Sequence, residues 1–248
     1  MIDIRELKKY SQMKGMGAWQ AEKEYLLCMF LCSYYSKYDS AIFKGGTSFR
    51  FFNDLNRFSE DIDLCIKNPK KFRLEVHDSL KRLMNFGIGS DVKNEEIFGK
   101  AYTVTIKFKG PLYDGKEQTK NSIRIDAGYR TGLLNKPEYL PLKSRFSDMA
   151  TTLIKVMNFE ERFAEKVSAV FTRQKGRDWY DAYFYHKIVN LNGRLVYKKI
   201  GQRPTKLPSI SGKEYTKDLK PILTRFIGYE TVVPAVKKYL KESLKLKS

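Results

Sequence analysis

Two short segments carry residue types suited to phosphate chemistry. Residues 44–48 read Lys-Gly-Gly-Thr-Ser, and residues 58–64 read Phe-Ser-Glu-Asp-Ile-Asp-Leu. Glycines lack a Cβ and let backbone N–H groups approach phosphate oxygens, and the N-terminus of a following helix adds partial positive charge. Asp61 and Asp63 would present oxygen ligands on one face of a strand, which suits Mg²⁺ or Mn²⁺ bridging the phosphates of a nucleotide. Together the segments predict phosphoryl or nucleotidyl transfer.

Either segment alone is weak evidence for a nucleotide site, since a Gly-Gly pair is most often a turn and an Asp-x-Asp is most often an exposed strand edge. The elements predicted around them strengthen the interpretation. Apolar residues at helical spacing over 19–38 predict a buried helix ahead of the glycines, and alternation from Asp61 predicts a strand. Further alternating runs at 102–108 and 122–127 predict two more strands. Asp126, in the second run, supplies a third carboxylate if these strands are neighbours.

The second half of the sequence has a helical pattern, beyond a connection marked by Pro137 and Pro141. The predicted helices are 160–173, 177–190, 214–227 and 231–246, with a loop at 201–213. Pro221 and Pro234 are expected to kink or shorten the last two helices. The layout predicts an α/β (α+β) fold, with a mixed-sheet domain over 1–150 and a helical bundle over 151–248.

The composition points to a folded chain with a polyanionic partner. The 248 residues include 42% hydrophobic and 14% aromatic residues, which excludes intrinsic disorder, and carry a net charge of +19. Residues 187–248 hold 15 Lys and Arg but only 4 Asp and Glu. These C-terminal helices are therefore expected to form a basic face, for which a merely solvated surface is the alternative. The cluster at the loop consists of Lys198, Lys199, Arg203, Lys206, Lys213, Lys217 and Lys220.

Cysteine and histidine usage excludes several other classes. Three cysteines without a Cys-x-x-Cys pair are typical of a reducing cytoplasm, where we expect this protein. Two histidines leave little material for a histidine-rich zinc site or for Ser-His-Asp catalysis. The longest uncharged apolar run, 25–35, is shorter than the roughly 20 residues that span a bilayer, so no membrane partner is expected.

The order of glycine turn, helix, Asp-x-Asp strand and later carboxylate resembles the nucleotidyltransferase superfamily with its polymerase-β-like palm. Four segments resemble a more specific pattern, that of the AbiEii/AbiGii nucleotidyltransferase toxins, which include the MenT enzymes. The segments are 44–47, 57–64, 161–173 and 177–181. The resemblance covers about residues 20–190.

The resemblance implies a role for particular positions. The residues implied for the nucleotide triphosphate are Gly45, Gly46, Thr47, Ser48, Ser59 and Lys166. Asp61, Asp63 and Asp126 are implied as metal-binding and catalytic carboxylates, and Asp126 is also the expected general base. Lys166 and Asp178, supplied by the helical domain, complete the catalytic set.

Plainer interpretations of the same residues stay open. Arg162, Lys166 and Arg173 would form a cationic stripe on one helix, which either faces the carboxylates or is solvated. Asp178 would be a helix cap, with Asp181 as its surface companion.

The function expected from these residues is that of a metal-dependent toxin. Such an enzyme moves an NMP from an NTP onto an RNA acceptor, expected to be tRNA, and releases pyrophosphate; a cognate antitoxin is a further expected partner. One alternative is transfer to a small molecule or to a protein hydroxyl. The other is a non-catalytic RNA-binding protein on the same scaffold.

Overall fold

A mixed β-sheet carries both phosphate-chemistry segments. The computed structural model describes residues 1–128 and 132–246. Over these residues the strands are β1 (Ile42–Lys44), β2 (Asp61–Cys65), β3 (Gly89–Phe98), β4 (Ala101–Lys109), β5 (Asn121–Gly128), β6 (Glu138–Leu142) and β7 (Thr152–Val156). Their order across the sheet is β3-β4-β5-β2-β1-β7-β6. β2 runs parallel to β5 and β1 parallel to β7, whereas the other neighbours are antiparallel.

Helices account for most of the remaining described chain. They are α1 (Ile4–Lys14), α2 (Ala18–Tyr35), α3 (Gly45–Phe52), α4 (Pro69–Leu83), α5 (Phe159–Thr172), α6 (Gly176–Tyr185), α7 (Gly193–Ile200), α8 (Gly212–Leu219) and α9 (Tyr229–Leu244). None of the helices in residues 1–128 and 132–246 is long and apolar enough to cross a bilayer.

The chain divides into two compact units. The first comprises Met1–Asp54, Phe58–Gly132 and Pro137–Val156, and the second comprises Leu55–Arg57, Leu133–Lys136 and Met157–Ser248. The sheet and α1–α4 belong to the first unit, and α5–α9 belong to the second. A mixed sheet followed by a helical region confirms the predicted fold class. β7 lies beyond residue 150 within the first unit, and the division of function between 1–150 and 151–248 stays a prediction.

The hydrophobic pattern accounts for the central elements. α2 is apolar on most of its surface and is buried along most of its length, as such a helix must be. β4 and β5 alternate between buried apolar residues and more exposed polar ones, which follows the two-residue period of a strand. The predicted helix at 19–38 and the predicted strands at 102–108 and 122–127 are confirmed.

Prolines affect three of the predicted elements in different ways. The prolines at 137 and 141 do not mark a simple connection, because Pro141 lies within β6, an edge strand where its missing N–H costs no ladder bond. α8 ends at Leu219, two residues before Pro221, which has no N–H to continue the helical hydrogen bonds, so the expected shortening at Pro221 is confirmed. α9 instead continues through Pro234, near its N-terminus. α6 ends at Tyr185 rather than at 190.

Candidate active site

The glycine turn lies at the junction of β1 and α3. Gly45, the first residue of α3, has a φ of 76°, a left-handed conformation that residues with a Cβ rarely adopt. A Cβ on Gly45 would lie 1.9 Å from Oδ2 of Asp63. Glycine is therefore required here for its backbone and for space, and the Asp63 carboxylate lies directly against the turn.

β2 brings the two aspartates of the Asp-x-Asp segment to this turn. Ile62 and Leu64 are buried on one face of β2, while Asp61 and Asp63 are partly exposed on the other. The antiparallel pairing of β1 with β2 sets Lys44 opposite Asp63. Both carboxylates therefore share one face beside the glycine turn, as their spacing predicts.

Asp126 lies on β5 and is opposite Asp63 in the parallel pairing of β2 with β5. Its carboxylate accepts hydrogen bonds from Thr103 Oγ1 (2.9 Å) and from Nε and Nη2 of Arg124 (2.8 and 3.1 Å). These bonds, together with the charges of Asp126, Asp61 and Asp63, hold the pKa of Arg124 above its usual value. An exposed guanidinium therefore lies among all three carboxylates.

The three aspartates do not form a closed metal cage. Among the described residues, no group of three or more His, Cys, Asp or Glu side chains is placed to hold a metal ion. Asp126 is a neighbour of the pair, with its oxygens engaged by Arg124 and Thr103. Its predicted roles as third metal ligand and general base stay predictions.

The hydroxyl groups predicted to seat the triphosphate are bonded inside the turn. Thr47 Oγ1 donates to the carbonyl oxygen of Asp61 (2.6 Å) and lies 2.9 Å from Ser59 Oγ. Ser48 Oγ donates to the carbonyl oxygen of Gly45 (2.8 Å). Thr47 and Ser48 are fully buried. The Thr47 hydroxyl ties α3 to β2, whereas the Ser48 hydroxyl bonds within α3. Their contact with a triphosphate, like that of Gly46, stays a prediction.

We expect Gly45→Ala to lower nucleotide transfer far more than stability. An alanine at this φ costs about 1–2 kcal/mol, and its Cβ must also displace the Asp63 carboxylate. Gly99→Ala is the matched control, because Gly99 also has a positive φ (57°) but a Cβ there meets no described atom within 4 Å. Transfer rates and chemical denaturation of both variants test this expectation, which fails if the two lose activity equally.

In the second unit, Lys166 of α5 is paired with two aspartates of α6. Its Nζ lies 2.9 Å from Asp181 Oδ2 and 3.5 Å from Asp178 Oδ1. Asp178 also accepts hydrogen bonds from Nε and Nη2 of Arg173 (2.7 and 2.9 Å). Asp178 and Asp181 have no exposed surface and Lys166 is 8% exposed. Lys166 is therefore not a solvated helix charge.

Two of the plainer interpretations are corrected by this cluster. Asp178 is the third residue of α6, whose N-cap is Lys175, so Asp178 does not cap the helix. The cationic stripe does not form either, because Arg162 is buried and donates to the carbonyl oxygen of Met157 (2.7 Å).

Sequence reasoning missed the partner of Asp181. Arg57 donates to both carboxylate oxygens of Asp181 (2.5 and 2.7 Å), and both residues are buried. Burial opposes ionisation of Asp181, but the charges of Arg57 and Lys166 hold its pKa below the usual value. Asp181 is thus a buried anion that joins two segments, not a surface companion of Asp178. Both residues stood inside the quoted motifs, but nothing in their spacing indicates that they pair.

A family model provides the comparison that decides the family. The model described as nucleotidyl transferase AbiEii toxin, type IV toxin–antitoxin system, matches residues 30–229. The chain belongs to the AbiEii nucleotidyltransferase toxin family. The AbiEii match extends past the 20–190 range of the sequence resemblance and includes α7, α8 and the basic loop between them. These segments are therefore part of the AbiEii enzyme.

Solved structures share the AbiEii fold at low sequence identity. MenT4, a nucleotidyltransferase toxin from Mycobacterium tuberculosis H37Rv, aligns with a TM-score of 0.75 and 17% identity over 98% of this chain and 90% of MenT4. JHP933 from Helicobacter pylori gives 0.60 and 15% over 91% and 92% of the two chains. A putative nucleotidyltransferase from H. pylori gives 0.60 and 18% over 90% and 93%. No protein of curated function matches the sequence.

Proposed function

We propose that this AbiEii nucleotidyltransferase moves an NMP from an NTP onto a hydroxyl of an RNA, with tRNA as the acceptor, and releases pyrophosphate. The observation that carries the proposal is the contact between the Gly45 turn and the Asp63 carboxylate. It joins a phosphate-binding backbone and metal-binding oxygens in one site.

The residues beside the turn fit a divalent cation such as Mg²⁺ or Mn²⁺. Asp61 and Asp63 offer partly exposed carboxylate oxygens on one face, the donors that such hard cations prefer. The missing Cβ of Gly45 leaves space for the Asp63 carboxylate beside the backbone that would receive phosphates. When bound, the cation supplies positive charge that stabilises the attacking and leaving oxygens.

Residues of the chain itself would accept the proton and bind the phosphates during transfer. The acceptor oxygen forms a bond to the α-phosphorus, the bond from that phosphorus to the bridging oxygen breaks, and pyrophosphate leaves. Asp126 takes the acceptor's proton, which requires Arg124 to move away first, since both carboxylate oxygens of Asp126 accept hydrogen bonds from Arg124. We assign Lys166 to the phosphates from its motif, with Asp178 holding its ammonium group.

An RNA acceptor is supported by the basic surface of α8. Lys213, Lys217 and Lys220 are exposed at helical spacing, which puts them along one face. Glu214 accepts a hydrogen bond from the N-cap Ser211, and Asp218 accepts one from the N–H of Gly176. The exposed ammonium groups of the three lysines lie along one face and would contact phosphate oxygens there.

Lys199 does not belong to this surface. It is 8% exposed, and its Nζ donates to Glu161 (2.6 Å) and Glu165 (3.0 Å). Glu161 also accepts from the N–H groups of Leu134 and Asn135. Lys199 is thus a structural cation, and the basic surface consists of its exposed neighbours.

We expect reversal of four surface lysines to weaken acceptor binding without affecting the NTP. The variant is Lys206→Glu, Lys213→Glu, Lys217→Glu and Lys220→Glu. If about six phosphates are neutralised in the wild type, log affinity falls against log salt with a slope near −4 to −5, and the variant should show a higher acceptor KM and a flatter slope. NTP binding should not change.

A second quadruple reversal supplies the control for charge alone. Its exposed lysines lie in the first unit: Lys8→Glu, Lys9→Glu, Lys70→Glu and Lys81→Glu. Equal acceptor KM values in the two variants would contradict a specific role of the α8 surface in acceptor binding.

The acceptor class is tested by incubating the protein with each labelled NTP, Mg²⁺ and total RNA. A labelled RNA band of tRNA size is the expected result. Label in protein or in a small molecule, with none in RNA, would overturn the RNA proposal.

The same proposal includes a protein partner and a cellular location. The type IV family description supports a cognate antitoxin. Cys28, Cys32 and Cys65 are free thiols, which are typical of the reducing cytoplasm where we place the protein.

A further inference from the structure

Consecutive charged residues of α2 lie inside the first unit. Lys23 is 7% exposed and Glu24 is 1% exposed, although both read as surface charges in the sequence. Charged side chains are almost never fully buried unless they are paired. Their partners therefore indicate their role.

Glu24 is held by three donors. Arg50 donates from Nε and Nη2 to its Oε2 (2.8 and 2.6 Å), while Arg145 Nη1 (2.8 Å) and Tyr10 Oη (2.5 Å) donate to its Oε1. Burial opposes ionisation of Glu24, but the Arg50 and Arg145 charges and the Tyr10 hydroxyl hold its pKa below the usual value. Glu24 is therefore an anion that fixes Arg50 through two hydrogen bonds to one carboxylate oxygen.

Arg50 belongs to α3, the helix that begins with the glycine turn. It lies five residues after Gly45, which corresponds to about 7.5 Å along the helix axis. The Arg50 guanidinium also lies 5.8 Å from the centre of the Phe58 ring, at the start of the segment that leads to Asp61. A displacement of Arg50 is thus transmitted through a short rigid helix to the turn.

Lys23 reaches the same segment from the neighbouring position. Its Nζ donates to Glu60 Oε2 (3.0 Å), and Glu60 directly precedes Asp61. Adjacent residues of α2 therefore hold the helix after the glycine turn and the residue before the Asp-x-Asp strand.

We propose that Glu24 is a positioning residue for the NTP site, which acts through Arg50 to set the orientation of α3 and of the glycine turn. The inference rests on the proposed function, because the turn must receive a triphosphate for its orientation to affect turnover. Removing one partner of a buried ion pair leaves the other charge uncompensated and lowers stability, so the readout specific to positioning is the NTP Kd of the folded protein.

Glu24→Gln tests the proposal, because it preserves the side-chain shape and removes the charge that holds Arg50. Misplacement of the turn should lower kcat/KM for the NTP by about 10²-fold. The KM and the directly measured Kd for labelled NTP with Mg²⁺ should carry this change, while the acceptor KM stays unchanged.

Glu75→Gln is the matched control. Glu75 is also a buried carboxylate, and it accepts from Tyr34 Oη (2.6 Å) and Ser40 Oγ (2.5 Å), neither of which belongs to α3 or to a phosphate-chemistry segment. It should lower the melting temperature and leave the NTP Kd unchanged. Arg50→Lys keeps the charge but loses the two guanidinium hydrogen bonds to Glu24 Oε2, and it should give an intermediate NTP Kd.

Two results would overturn the inference: a wild-type NTP Kd in both Glu24→Gln and Arg50→Lys, or an equal weakening by Glu75→Gln. If Glu24→Gln does not fold, the NTP Kd of Arg50→Lys is compared with that of Glu75→Gln. Weaker NTP binding by Arg50→Lys alone supports the inference, and equal Kd values contradict it. A wild-type protein that binds NTP but labels no acceptor contradicts the proposed function instead, so the two failures are distinguishable.

Discussion

Asp63→Ala is expected to abolish nucleotide transfer while the chain stays folded. The Asp63 carboxylate is partly exposed and lies against Gly45, so its removal takes away one of the two proposed metal-binding carboxylates without opening the core. Asp61→Ala should have the same effect, because both carboxylates are proposed to bind one cation. Transfer from labelled NTP and thermal unfolding measure the two consequences.

A surface aspartate provides the comparison for these variants. Asp39 is exposed and forms an ion pair with Lys155 (3.6 Å), so Asp39→Ala should keep full transfer activity. Full activity in folded Asp63→Ala or Asp61→Ala would contradict the proposal that these carboxylates bind the metal.

Lys166→Met is expected to slow turnover by roughly 10²-fold or more. A cation at the phosphates lowers the free energy of the charge that develops in the transition state, and methionine keeps the volume but not the charge. The structure limits the accompanying loss of stability, since Asp178 keeps Arg173 and Asp181 keeps Arg57 as cationic partners. Single-turnover rates with saturating NTP measure the effect.

The second unit offers a closely matched control for Lys166. Lys199 has the same exposed fraction, 8%, and is also paired with two carboxylates. Lys199→Met should lower the melting temperature and leave turnover at the wild-type rate. If both methionine variants turn over at the same rate, Lys166 is a structural cation like Lys199.

The strands that carry the carboxylates were predictable because their pattern depends on burial alone. Ile62 alternates with Asp61 and Asp63, and the run at 122–127, which includes Asp126, shows the same two-residue period. The pairing of β2 with β5 did not follow from either run, because alternation gives the faces of a strand but not its neighbours.

The ion pairs were not predictable from spacing. Arg57 and Asp181 are 124 residues apart, and Glu24 and Arg50 are 26 apart. A charged residue in a sequence usually indicates an exposed position, so the sequence alone does not predict that Glu24 is buried. Only the three-dimensional contacts show that these charges are buried.

The position of the label in the NTP tests the central claim most directly. The protein is incubated with Mg²⁺, RNA and an NTP labelled on either the α- or the γ-phosphate. Nucleotidyl transfer predicts α-label in the RNA, γ-label in released pyrophosphate, and neither product with Asp63→Ala. Label from the γ-phosphate in the acceptor, or product formation by folded Asp63→Ala at the wild-type rate, would contradict the account.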